Sequence, residues 1–255
     1  MTDVVPAMLE GVQESFHGRL ARDSRIMRVN GRIRDGTATL KDAHLYSQRV
    51  GTALSNALKE HITLDALPNE ELYFNIADRI IMPTMTEDYD LVNEVAANVQ
   101  KVVDQKNGIG LGSAHAAFPK ERISGLIDKL TDPDVEVISR LVWLNEPIVN
   151  NSEAFFDDFI RENAEFRQKA GLNCTIMRIT APGCCEWCAS IAGIWEYGKE
   201  PKDIYKRHEY CRCDVIYNSE RSYQDVWTKE AWSTPDQLAA RRAARLATPL
   251  IRARR

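Results

Sequence analysis

"NCTIMRITAPGCCEWCASIAGIWEYGKEPKDIYKRHEYCRCDVIYN" fills residues 173–218 and holds every cysteine of the 255-residue chain: Cys174, Cys184, Cys185, Cys188, Cys211 and Cys213. Within it, "CTIMRIT", "GIWEYG" and "CDVIYN" are short β-branched or aromatic runs, the pattern of strands. Upstream the apolar spacing is helical. The expected fold class is therefore α+β: a mainly α-helical N-terminal region followed by a small β-rich zinc-binding module. The expected divisions are residues 1–172, 173–218 and a C-terminal extension, 219–255.

Helical periodicity is clearest in "LKDAHLYSQRVGTALSNALKEHI". Ala43, Val50, Ala57 and Leu64 recur every seven residues, and Tyr46 and Ala53 fall three beyond the first two. Thr39 and Asp42 form a candidate capping box. "NEELYFNIADRIIMP" predicts a helix ending near Pro83, and a separate one starts at Thr86, with Val92, Val95, Ala96, Val99, Val102 and Val103 on its apolar stripe. "FPKERISGLIDKL" predicts another. "DPDVEVISRLVWL" predicts one capped by Asp132, with Pro133 in its first turn. "SEAFFDDFIRENAEFRQKAG" predicts a helix capped by Ser152 and stopped by Gly171. After the cysteine segment, "TPDQLAARRAARLA" predicts a Pro-started helix.

The thiols have metal-ligand spacing. Cys185 and Cys188 form a C-x-x-C knuckle turned by Gly183; after nineteen intervening residues come His208, Cys211 and Cys213. A second pair arriving from a distant segment is what completes a tetrahedron around one ion. Cys185, Cys188, Cys211 and Cys213 are the first choice of ligands, with His208 able to replace either of the last two. Zinc fits sulfur and imidazole without redox chemistry, and four protein ligands leave no place for a catalytic water, so the ion is expected to be structural. The competing reading is a set of small buried hydrophobes. Cys174 and Cys184 are expected to be structural.

Several enzyme classes are excluded by motif. The deaminase order, H-x-E before P-C-x-x-C, is reversed and "RHE" lacks its middle residue; H-E-x-x-H is absent; "NGIGLGSA" follows a helix rather than a strand, so it is not a dinucleotide fingerprint. No Ser/His/Asp order or phosphate loop stands out. His17, His44, His61 and His115 have no partner at metal spacing. The acidic groups "TEDYD" and "FFDDFIREN" read as first-turn charge and a solvated helix face.

The composition is 44% hydrophobic and 27% charged with a formal net charge of −4, and no apolar run is long enough to span a bilayer. The start, "MTDVVPAMLEGVQESF", lacks the basic and apolar regions of a secretory signal, so a reducing cytoplasm is expected. Arginines are nevertheless grouped. "RLARDSRIMRVNGRIR" (19–34) has six against one acid, and "RRAARLATPLIRARR" (241–255) has six more. Arg19, Arg22, Arg25 and Arg28, with Arg241, Arg242 and Arg245, are candidates for contact with phosphates or an acidic partner. A solvated face and a frayed tail account for them equally well.

The cysteine segment resembles a known family. "C-x-x-C-A-S-I-A-G" followed by "R-H-E-Y-C-R-C" is similar to the C-terminal signature of phage Mu-type head morphogenesis proteins, also called minor head or minor capsid proteins. Cys185, Cys188, Gly193, His208, Cys211, Arg212 and Cys213 match it position by position. The family often has prolines before the histidine, where this chain has "IYKRH", and Pro-Asn after it, where Glu209 and Tyr210 stand. The likeness covers about 45 residues of the chain. It implies a virion protein associated with the portal vertex of a tailed-phage head. The expectation is therefore a structural component without catalytic activity, found in the head and, during assembly, in the host cytoplasm, with the portal or major capsid protein as partner; the arginine groups leave nonspecific DNA contact open. The alternatives are a metal-dependent nuclease using His208 or Glu209 beside those arginines, and a zinc-module adaptor of the host.

Overall fold

In the computed structural model, which describes residues 3–221 and 239–240, the Thr39–Asp42 capping box is in place: Asp42 Oδ2 accepts from the Thr39 amide at 2.9 Å and its hydroxyl at 2.8 Å. Eight α-helices are described: α1 (Val5–Arg22), α2 (Ser24–Arg34), α3 (Leu40–His61), α4 (Phe74–Asn107), α5 (Lys120–Leu130), α6 (Val137–Leu141), α7 (Glu146–Lys169) and α8 (Glu186–Ser190). Three strands follow α7: β1 (Leu172–Ile179), β2 (Gly193–Glu196) and β3 (Asp214–Arg221). The fold is α+β.

The stripe predicted for α3 is its buried face as far as Ala57, with Ala43, Tyr46, Val50, Ala53 and Ala57 all in the core; Leu64 lies past the end of the helix at His61, in a short separate turn, and is only half-buried. On the same helix Gly51 meets α7. A Cβ there would stand 2.7 Å from Ser152 Cβ and 2.9 Å from Val149 Cα, so only glycine permits this approach. Phe155, Phe156 and Phe159 of α7 are fully buried, each worth roughly 1.5–3 kcal/mol of transfer free energy.

Three boundaries differ from the sequence reading. Pro83 does not end a helix; α4 runs through it. Proline removes one intrahelical bond, while the hydroxyls of Thr84 and Thr86 donate to the nearby carbonyls of Ile80 and Met82, both at 2.8 Å. Packing holds the segment, since Ile80, Ile81 and Met85 on either side of Pro83 are fully buried. Ser152 is not a cap, because α7 starts at Glu146 with Pro147 in its first turn, and the Ser152 hydroxyl bonds the Asp88 carboxylate instead. Asp132 closes a local turn through the amide of Asp134, and α6 begins only at Val137. Residues 19–34 form two helices: Asp23 ends α1 and caps α2, accepting from the amides of Arg25 (2.8 Å) and Ile26 (3.1 Å).

The sheet has the order β2-β1-β3, all antiparallel, with Ile176 opposite Trp195 on one side and Tyr217 on the other. The period-two alternation of β1 buries Cys174, Ile176 and Arg178. Ile176, Ile204, Val215 and Tyr217 join the same apolar core as the helices. β1 begins one residue before position 173 and β3 continues to Arg221, past position 218. Polar ties reinforce the junction: Arg167 of α7 grips Asp104 of α4 through two bonds (2.8 and 2.6 Å), and Tyr217 OH donates to Gln100 at 2.5 Å. No helix among the described residues is long and apolar enough to cross a membrane.

Candidate metal centre

After β1 the chain turns at Gly183, where φ is +74°, a conformation glycine adopts without strain. Cys185 then caps the one-turn helix α8, its Sγ accepting from the Cys188 amide at 3.4 Å. The single helical turn places the Cys185 and Cys188 sulfurs side by side. The far half arrives on the loop before β3. Tyr210 takes a positive φ of 58°, and the Cys211 amide donates to the His208 carbonyl at 3.1 Å, which turns His208 and Cys211 toward one point. A non-glycine residue in that region carries a backbone cost of about 1 kcal/mol or more.

The donors converge on Cys188. His208 Nε2 lies 3.0 Å from Cys188 Sγ and 3.3 Å from Cys185 Sγ, and Cys211 Sγ lies 3.7 Å from Cys188 Sγ. Two groups, Cys185–Cys188–His208 and Cys188–Cys211–Cys213, each have donor atoms within 4.8 Å of one another and could hold a metal ion. All five residues singled out by spacing are thus brought together. Cys184 packs alongside without joining either group, and Cys174 is buried elsewhere, on β1.

Local chemistry prepares these atoms unequally. His208 Nδ1 lies 2.7 Å from the Glu209 carbonyl oxygen, so it carries the proton and leaves Nε2 as a lone-pair donor facing the sulfurs. The Cys188 amide at the start of α8 holds the exposed Cys185 thiol below its usual pKa. Burial pushes the Cys188 thiol up to about 12 and raises Cys213. The centre therefore has a wet edge, Cys185 and His208, and a dry floor of Cys188, Cys211 and Cys213.

A buried polar network fastens the floor to the helices. Arg207 spans Asp157 and Glu153 of α7, and Arg212 grips Glu146 at 2.7 and 3.0 Å. His44 of α3 bonds Asp214 at 2.6 Å through Nδ1 and takes Arg207 Nη2 at 3.1 Å on Nε2. Burial opposes the Arg207 cation, but Asp157 and Glu153 more than offset it and raise its pKa; burial likewise raises that of Glu153. This corrects the reading of "FFDDFIREN" as a solvated face: Asp157 is buried, and so is Glu153 one turn before it. "TEDYD" is not first-turn charge either, because it lies within α4 and its Asp88 is fully buried. Arg178, Arg207, Arg212 and the acids of α7 were missed by spacing. For Arg178, its place two residues after Ile176 was the available signal.

The arginine candidates separate. Arg19 pairs with Glu60 at 2.6 Å, and Arg22 Nε donates to the Gly18 carbonyl at 2.8 Å, both beside a cavity of about 400 Å³ that also involves Arg49, Asp23 and Glu60. Arg25 and Arg28 are exposed on α2. Arg241, Arg242 and Arg245 lie outside the described residues, as does most of the predicted Pro-started helix.

No protein-family model matches the chain. No curated protein and no solved structure matches it either.

Proposed function

We propose that this chain is a non-catalytic minor head protein of a tailed bacteriophage, with a structural zinc ion that clamps the cysteine loop and sheet onto the helical body. Convergence of four other sulfur and imidazole donors on Cys188 carries the metal part of the reading. Ligands of tetrahedral zinc stand about 3.5–3.8 Å apart. The Cys188–Cys211 spacing of 3.7 Å fits this, and the 3.3 and 3.0 Å approaches of His208 to Cys185 and Cys188 come close. These contacts centre the ion on Cys188, the donor shared by the Cys185–Cys188–His208 and Cys188–Cys211–Cys213 groups, with the other ligands drawn from Cys185, His208, Cys211 and Cys213. A donor set that fills four positions from the protein suits an ion that holds structure.

The phage assignment is supported by the resemblance of "C-x-x-C-A-S-I-A-G" and "R-H-E-Y-C-R-C" to minor head proteins. On this reading the chain resides in the virion head and, during assembly, in the host cytoplasm, with the portal or major capsid protein as partner. Exposed Arg22, Arg25 and Arg28 are where nonspecific DNA contact would fall. Elemental analysis of purified protein, run beside a pull-down against portal and capsid subunits, tests both parts. One zinc per chain and capture of a head subunit is the expected result. Zinc without capture removes the head assignment, and capture without zinc removes the ion.

A further inference from the structure

Arg178 is 2% exposed, on the buried face of β1. Its Nη1 donates to the carbonyls of Ile204 and Lys206, and its guanidinium lies over the Trp187 ring, 5.4 Å from the centroid. Nη2 points at sulfur: 3.6 Å to Cys188 Sγ and 3.5 Å to Cys211 Sγ. Among the described residues no carboxylate lies within 4.0 Å of this guanidinium. The other deeply buried arginine side chains differ. Arg140 has Glu71, Arg167 has Asp104, and Arg207 has Asp157 and Glu153.

A guanidinium does not shed its proton in a protein, and a buried cation without a counter-charge is strongly disfavoured. Carbonyls and an indole face help to solvate it but supply no negative charge. Among the described residues, the only groups in reach that can become anions are the two sulfurs. A thiol is a weak, neutral acceptor, whereas a metal-bound cysteine is a thiolate.

We propose that Arg178 is the built-in counter-cation of the metal centre, donating from Nη2 to the Cys188 and Cys211 thiolates. The inference rests on the metal reading above and specifies its charge. A divalent ion with three thiolates and one neutral imidazole carries −1, which Arg178 cancels; with four thiolates it carries −2, which Arg178 halves. An ion and Arg178 therefore hold each other in place. Loss of the guanidinium leaves an uncompensated anionic centre, and loss of the ion leaves a buried cation facing neutral thiols.

The test uses the full chain as wild type, Arg178→Lys and Arg178→Met. Zinc affinity is read by competition with a chromophoric chelator, and thiolate coordination by the sulfur-to-cobalt charge-transfer bands of the Co²⁺ form. Arg178→Met is expected to weaken zinc at least tenfold, with Arg178→Lys between it and wild type. Zinc affinity for Arg178→Met within twofold of wild type overturns the role of Arg178 while leaving the metal reading intact. A wild-type chain that takes up neither zinc nor cobalt overturns the metal reading itself. Should Arg178→Met fail to fold, wild-type protein loaded with ¹¹³Cd answers the question by NMR. Scalar coupling between ¹¹³Cd and the Arg178 Nη protons, passed through the N–H···S bonds, is expected; freely exchanging Nη protons without that coupling overturn the proposal.

Discussion

Arg207, next to His208 in the cysteine-bearing loop, sits bidentately on Asp157 of α7, its Nη2 2.8 Å from Oδ1 and its Nε 2.5 Å from Oδ2. Both side chains are almost fully buried, at 3% and 2% exposure. The pair fixes the loop that carries His208 and Cys211 on the buried face of α7. Removing one partner strands a buried charge, at a cost of about 3–5 kcal/mol. Arg207→Met is thus expected to lower the urea midpoint sharply and to speed alkylation of Cys188. Unchanged alkylation would show that the loop is held without this pair.

Asp88 predicts a pH dependence. It is fully buried beside Ser152, its Oδ1 has no hydrogen-bond partner, and burial pushes its pKa up to about 8, with Glu87 adding to the rise. The folded state keeps the proton that the unfolded state loses near pH 4. Stability from this group is therefore full below pH 4 and lost as pH rises toward 8, on the order of several kcal/mol. Asp88→Asn, which imitates the protonated carboxyl, is expected to match wild type at pH 5 and exceed it at pH 8. Parallel stability–pH curves for the two proteins would refute the assignment.

The cysteines divide into two kinds. Cys188→Ser removes the donor common to both candidate groups, whereas Cys174→Ser alters a thiol buried away from them. Zinc stoichiometry by native mass spectrometry is expected to fall to zero in the first and stay at wild-type level in the second. Addition of a chelator should lower the melting temperature of wild type and of Cys174→Ser but leave Cys188→Ser unmoved. A chelator-insensitive wild type would contradict a structural ion.

Gly51→Ala probes the α3–α7 crossing. The added carbon would meet Ser152 Oγ at 2.5 Å and the Val149 backbone at 2.9 Å, and a helix backbone does not yield as a side-chain tip can. Overpacking of this kind costs about 1–3 kcal/mol, against a helix-propensity gain of under about 1 kcal/mol. Thermal melting should show net destabilisation. An increase in melting temperature would mean the helices can separate freely here.

Local patterns carried their message in the sequence. The α3 stripe, the stripe around Val92–Val102, the switch to strands after Gly171 and the five donors of the cysteine segment are all set by residues near each other in the chain. Their spacing acts through the helix repeat, the strand repeat or a single tight turn. Helix ends proved less legible where a remote contact competes with a local signal. Pro83 is carried inside α4 by the packing around it, and Ser152 gives its hydroxyl to Asp88, 64 positions away.

The sequence by itself determined the α+β class and which sulfurs and imidazole could meet an ion, because those depend on period and short spacing. Tertiary structure alone decided which charges are buried and with whom. Arg207 meets Asp157 across 50 residues, His44 meets Asp214 across 170, and Arg178 meets Cys211 across 33. The physical reason is that desolvation belongs to a packed neighbourhood: the same arginine is a solvated surface charge or an obligatory counter-ion according to what folds over it.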